Sequence, residues 1–134
     1  MDNPYRPPRR DADVIPVRRS TGVFRIAASF SVDGHEVDTR FDVLRGNEQC
    51  FVDGHEASAR KAPLDFRTSH RFKLGPHGRQ VAVSCRFWPV FPVRVTIDNT
   101  PLIDDLFPRH RTVWLALSIA SGLAASLLLF LLFR

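Results

Sequence analysis

Val23-Phe24-Arg25-Ile26-Ala27-Ala28-Ser29-Phe30-Ser31-Val32-Asp33-Gly34-His35-Glu36-Val37-Asp38-Thr39-Arg40-Phe41-Asp42-Val43 is the stretch that decides the fold class. Phe24, Ile26, Ala28, Phe30 and Val32 alternate with Arg25, Ser29 and Ser31, the period of a strand with one buried face, and Asp33-Gly34 carries the signal of a two-residue type I′ turn. A turn there sets Phe30 opposite Val37, Ile26 opposite Phe41 and Phe24 opposite Val43, so the apolar residues of both strands share one face. The same construction at Gly46-Asn47 predicts Val43 opposite Cys50 and Phe41 opposite Val52. At Asp53-Gly54 it predicts Val52 opposite His55 and Cys50 opposite Ala57.

Farther along, Leu64, Phe66, Thr68, His70, Phe72 and Leu74 alternate, and a turn at Gly75-Pro76-His77-Gly78 pairs them with Arg79, Val81, Val83, Cys85 and Phe87. Val93, Val95 and Ile97 form a further short strand before Asp98-Asn99, and Pro101 keeps the next segment out of any central position in a sheet. Seven or eight short strands joined by tight turns predict an all-β antiparallel sandwich over residues 22–108. Residues 1–21 hold Pro4, Pro7, Pro8 and Pro16 among arginines and aspartates, with little to bury, and read as a disordered, solvated tail. Pro4-Tyr5-Arg6-Pro7-Pro8-Arg9 also fits the short pattern that polyproline-binding domains recognise.

From Thr112 to Phe133 run 22 consecutive residues without a charge, a helix of roughly 33 Å at ~1.5 Å per residue, enough to cross a bilayer core. Trp114 stands at its entry, behind a basic segment at 109–111. Arg109 and Arg111 before the span outweigh Arg134 after it, which by the positive-inside rule places the sandwich in the cytoplasm. No apolar leader precedes the domain, so a tail-anchored, single-pass protein is expected. Seventeen arginines against two lysines suggest a GC-rich bacterial genome and hence the cell inner membrane. Within the span, Ser118, Gly122 and Ser126 recur every fourth residue, a row that permits close approach of another helix.

The formal charge of +5 is not a nucleic-acid footprint: residues 21–108 hold eleven basic and eleven acidic side chains, so the surplus lies in the tail and beside the span. Cys50 and Cys85 are too few for a disulfide framework and read as small buried hydrophobes. Val-Asp-Gly-His-Glu occurs at 32–36 and again at 52–56, which raises His35, Glu36, His55 and Glu56 as metal ligands. Adjacent strand residues point to opposite faces, however, so turn scaffolding is the better reading. No nucleophile elbow, phosphate loop or CxxC pair occurs, and neither catalytic residues nor a cofactor is expected.

The order His70, Phe72, Gly75, His77, then Val95-Thr96-Ile97-Asp98-Asn99 and Leu102-Ile103, resembles the end of a repeat of the Fas apoptotic inhibitory molecule (FAIM) family. Phe51-Val52-Asp53-Gly54-His55-Glu56 is similar to that family's strand-turn-strand with Val-Asp-Gly and an acidic residue. The resemblance covers about 60 residues of one repeat and implies a compact β-sandwich of protein-binding type. Members of the family carry two repeats and are soluble, whereas this chain shows one repeat and a span.

Together these features predict a membrane-tethered protein-binding module or accessory subunit of a membrane complex. Its protein partner, or a second copy, would engage Trp88, Val90 and Phe91 in the apolar 87–92 loop, or Ser118, Gly122 and Ser126 in the span. The alternatives are a lipid or small molecule held between the sheets, or a metal-dependent enzyme.

Overall fold

The computed structural model describes residues 16–62, 67–76, 78–86 and 92–133. Its elements run in the order β1 (Arg18–Thr21), β2 (Arg25–Val32), β3 (His35–Asp42), β4 (Asn47–Val52), β5 (His55–Lys61), β6 (Thr68–Leu74), β7 (Arg79–Cys85), β8 (Arg94–Ile97), β9 (Thr100–Ile103) and α1 (Pro108–Leu132). Strands β1 to β5 form one antiparallel sheet and β6 to β9 a second, each in sequence order. The two sheets make the all-β sandwich. Ile26, Phe30, Val37 and Phe41 of the first sheet share one core with Phe72, Val81, Val83 and Val95 of the second, and Leu106 and Phe107 close it.

The hairpin chemistry explains the registers. Asp33 and Gly34 have φ of 51° and 81°, and Asp53 and Gly54 repeat this at 50° and 78°, the paired positive values that a type I′ turn demands. The first hairpin keeps the register expected from the turn, with Phe30 opposite Val37 and Ile26 opposite Phe41. The β6–β7 hairpin does likewise, from Leu74 opposite Arg79 to Thr68 opposite Cys85.

Two registers differ from expectation. β3 and β4 are joined through residues 43–46, not through a two-residue turn at Gly46-Asn47, so Phe41 faces Glu48 and Cys50 faces Thr39. The Asp42 carboxylate holds that loop by accepting the Arg45 backbone N–H at 3.0 Å. The slip is an even number of residues, so every side chain keeps its face. Between β4 and β5 the ladder shifts at Cys50/Phe51, so Cys50 pairs with Ser58 and not with Ala57. This bulge turns Ser58 toward the interior.

The expected tail boundary at residue 21 is also corrected, because Arg18–Thr21 forms β1 on the edge of β2. All four residues are exposed, which is why no apolar alternation announced the strand. Its ladder bonds to β2 and the Arg19 Nε–H donated to the Leu106 carbonyl at 2.6 Å hold it in place. Pro101 lies in β9, an edge strand, as its missing N–H requires. The helix begins at Pro108, within the segment read as sandwich and before the basic residues, with proline in the first turn, where it is tolerated.

Candidate functional site: the helix junction and the polar core

The sandwich has two unlike ends. At the end far from α1, the turns of both sheets meet: Arg79 bridges Asp33 at 2.7 Å and Asp98 at 2.9 Å, and His35 Nδ1 lies 2.6 Å from Asp53. Asp53 also accepts the Glu36 N–H at 2.9 Å. The two Val-Asp-Gly-His-Glu strings therefore contact each other, the histidine of the first with the aspartate of the second. These contacts hold the Asp53 carboxyl below the usual carboxylate range, with the His35 hydrogen bond the main cause, and Arg79 does the same for Asp98. Gly75, at φ 61°, packs so close that an added Cβ would stand 2.9 Å from His35 Nε2. His35, Glu36, His55 and Glu56 serve the turns and their flanks, and among the described residues no group of three metal-ligating side chains converges.

At the other end the domain is built onto the helix. Leu106 and Phe107 are buried, and Phe107 meets Phe41 edge-on with ring centroids 5.6 Å apart. Arg111 Nε lies 2.9 Å from Asp105 Oδ2, an ion pair without in-line hydrogen-bond geometry, while Asp105 Oδ1 accepts the Phe107 N–H. His110 is buried and its Nε2 accepts the Trp114 indole N–H at 2.8 Å. Trp114 in turn meets Phe24 edge-on at 6.3 Å. The first two turns of α1 are thus part of the domain. From Leu115 onward the helix is exposed, and its length and apolar composition suffice to cross a membrane.

Between the sheets lies a polar chain. Glu48 on β4 accepts from Thr68 Oγ1 at 3.2 Å and faces His70 Nε2 at 3.1 Å, and His70 Nδ1 faces Ser58 Oγ at 2.9 Å. With the carboxylate accepting at Nε2, the other ring nitrogen accepts the serine proton, the direction of transfer used to activate a serine nucleophile. Such a serine also needs its oxygen open to a substrate and donors for the developing oxyanion. Ser58 Oγ instead points inward beside buried Cys50, and His70 is 1% exposed. The chain acts as a pin that ties β4, β5 and β6 across the opening between the sheets. His70 was legible as an inner-face residue, whereas Ser58 enters only through the bulge.

Ser118, Gly122 and Ser126 fall on one exposed line of α1. A Cβ at Gly122 would meet nothing within 4 Å, and the serine hydroxyls bond back to the carbonyls four residues earlier, Ser118 to Trp114 and Ser126 to Gly122. Polar hydrogens are satisfied within the helix, leaving a smooth groove. Trp88, Val90 and Phe91 lie outside the described residues, as do Leu64, Phe66, His77, Phe87, Arg134 and the polyproline-like segment at 4–9. The strand ends that flank 87–91, Cys85 of β7 and Arg94 of β8, are at the helix end of the sandwich, opposite the Gly75 turn. Among the described residues, buried apolar side chains of both sheets pack together between them, and an open depression lies on the first sheet near Arg25, Arg40 and Gln49.

Both thiols are buried, and burial pushes Cys50 up to about 12 and Cys85 up to about 11, with Asp105 adding to Cys85 and Glu48 adding to both. Since the thiolate is the reactive form, an aromatic disulfide reagent should titrate no thiol rapidly in the folded chain at neutral pH and two after denaturation. Rapid reaction in the native state would contradict this packing.

These features define a class: a two-sheet antiparallel β domain continuous with an apolar C-terminal helix long enough to span a membrane. No family model, curated protein or solved structure matches the chain.

Proposed function

We propose that the chain is a membrane-tethered binding module, an adaptor or accessory subunit whose sandwich is presented at the cytoplasmic face by a single span. The observation that carries this reading is the junction: Phe107, His110, Arg111 and Trp114 build the start of the helix into the domain, so the sandwich is held on its anchor without a linker. Fixed presentation suits recognition of a partner in or beside the same membrane. The apolar cluster that both sheets share gives less support to a carrier, and the inward-facing Ser58 less to a hydrolase.

Recovery of partners from mild detergent tests the reading. With Trp88→Ser and Phe91→Ser combined, or with Gly122→Leu, one variant should lose the partner that the unmodified chain retains while keeping its melting temperature. Loss in Gly122→Leu places the contact within the bilayer, because a bulky side chain there blocks close helix packing. Retention in both defeats the proposal.

A further inference from the structure

Outside α1 and its C-terminal cap Phe133, the large hydrophobic side chains that are exposed among the described residues number three, and all lie together: Val23 at 51%, Phe24 at 42% and Leu44 at 68%. Val23 and Phe24 form the β1–β2 connection and Leu44 the β3–β4 connection. The Val43 N–H donates to the Phe24 carbonyl at 2.8 Å, so the two connections are adjacent tips of one sheet end. Solvent-facing tips of hairpins ordinarily carry polar turn residues, as Asp33-Gly34, Asp53-Gly54 and Asp98-Asn99 do at the opposite end.

Their depth is set by the helix. Phe24 touches Trp114. A bilayer core takes about 20 residues of helix, and counting back from Leu132 puts its near boundary within one turn of Trp114. An indole there belongs to the interfacial layer, and so does whatever packs against it. Arg25 and Arg45 flank the tips, with Arg109 on the exposed side of the first helical turn; of the acids nearby, Asp42 pairs with Arg25 and accepts the Arg45 backbone N–H, Asp105 pairs with Arg111, and Asp104 is exposed. Apolar tips below a collar of arginines match the acyl boundary and the phosphate layer in turn.

We propose that Val23, Phe24 and Leu44 are a second membrane contact, inserted into the interfacial layer of the bilayer that holds α1, so that the sandwich sits on the lipid surface at three points and not on one stem. This rests on α1 spanning a membrane. It adds a lipid-binding surface on the domain itself, independent of any protein partner.

Nitroxide labels on the full chain in vesicles of phosphatidylcholine and phosphatidylglycerol test it, one label per protein, at Leu44→Cys, Ser31→Cys, which is exposed beside the far turns, or Leu123→Cys. The buried native thiols stay unlabelled. Collision with oxygen against a soluble nickel chelate reports depth. The expected result is oxygen-dominated collision at 123 and at 44, and nickel-dominated collision at 31. An aqueous label at 44 with a lipid-exposed label at 123 overturns the proposal and leaves the span standing. An aqueous label at 123 removes the span and the proposal with it. Spin–spin broadening at 44 would place a second copy of the chain there, and that too overturns lipid contact. Leu44→Gln in a label-free chain should leave the melting temperature unchanged in detergent, because the side chain is exposed in the fold.

Discussion

Phe107→Ala should lower the stability of the sandwich by about 3–5 kcal/mol, against the ~5–15 kcal/mol that holds a domain together. The ring is 1% exposed, edge-on to Phe41, and the residue is the last before Pro108. Its loss opens a cavity between the sheets at the point where the chain passes into the helix. Chemical denaturation of the full chain in detergent, followed by the fluorescence of its two tryptophans, measures the effect. A loss below about 1 kcal/mol would mean that the domain does not close over this residue. The same burial shows where a soluble fragment should end: a cut before His110 would remove a buried side chain from the domain.

Glu48→Ala is expected to cost about 3 kcal/mol, by a different route. Removing the carboxylate leaves the Thr68 hydroxyl and His70 Nε2 buried without their acceptor, and each orphaned group costs ~1–3 kcal/mol. Glu48→Gln should recover more than half of this, since the amide oxygen still accepts at one of the two sites. Ser58→Ala gives the control, with a cost of about 1 kcal/mol, because only one partner at the rim of the chain is lost. If all three variants were equally stable, the polar chain would not be pinning the sheets together.

The legible parts of this fold are those where local chemistry leaves one answer. Asp33-Gly34 and Gly75 to Gly78 fix their hairpins through turn geometry, and the alternation on either side agrees, so both registers emerge residue for residue. At Gly46-Asn47 the dipeptide suggests a tight turn, but the Asp42 carboxylate capping Arg45 favours a longer loop. Two registers that differ by an even number bury the same side chains, so hydrophobic patterning could not separate them. The bulge at Cys50/Phe51 is less visible still, because Ala57 and Ser58 are both small and either could face inward. With it went the position of Ser58 in the polar chain. β1 was illegible for another reason: an edge strand exposed on both faces is made by the ladder it joins, not by its side chains. The Ser118–Gly122–Ser126 row was fully legible, since helix periodicity alone sets it on one face.

The junction has a further consequence, in rotational phase. α1 runs unbroken from Pro108 to Leu132, and its first turns are clamped by Phe107, His110 and Arg111. The azimuth of the Ser118–Gly122–Ser126 row about the helix axis is therefore keyed to the faces of the sandwich. Each residue added between Arg111 and Ser118 would swing that row by about 100° relative to the domain. A partner helix that seats on the row consequently determines which side of the sandwich turns toward it, much as the bow of a key fixes the direction of its bit.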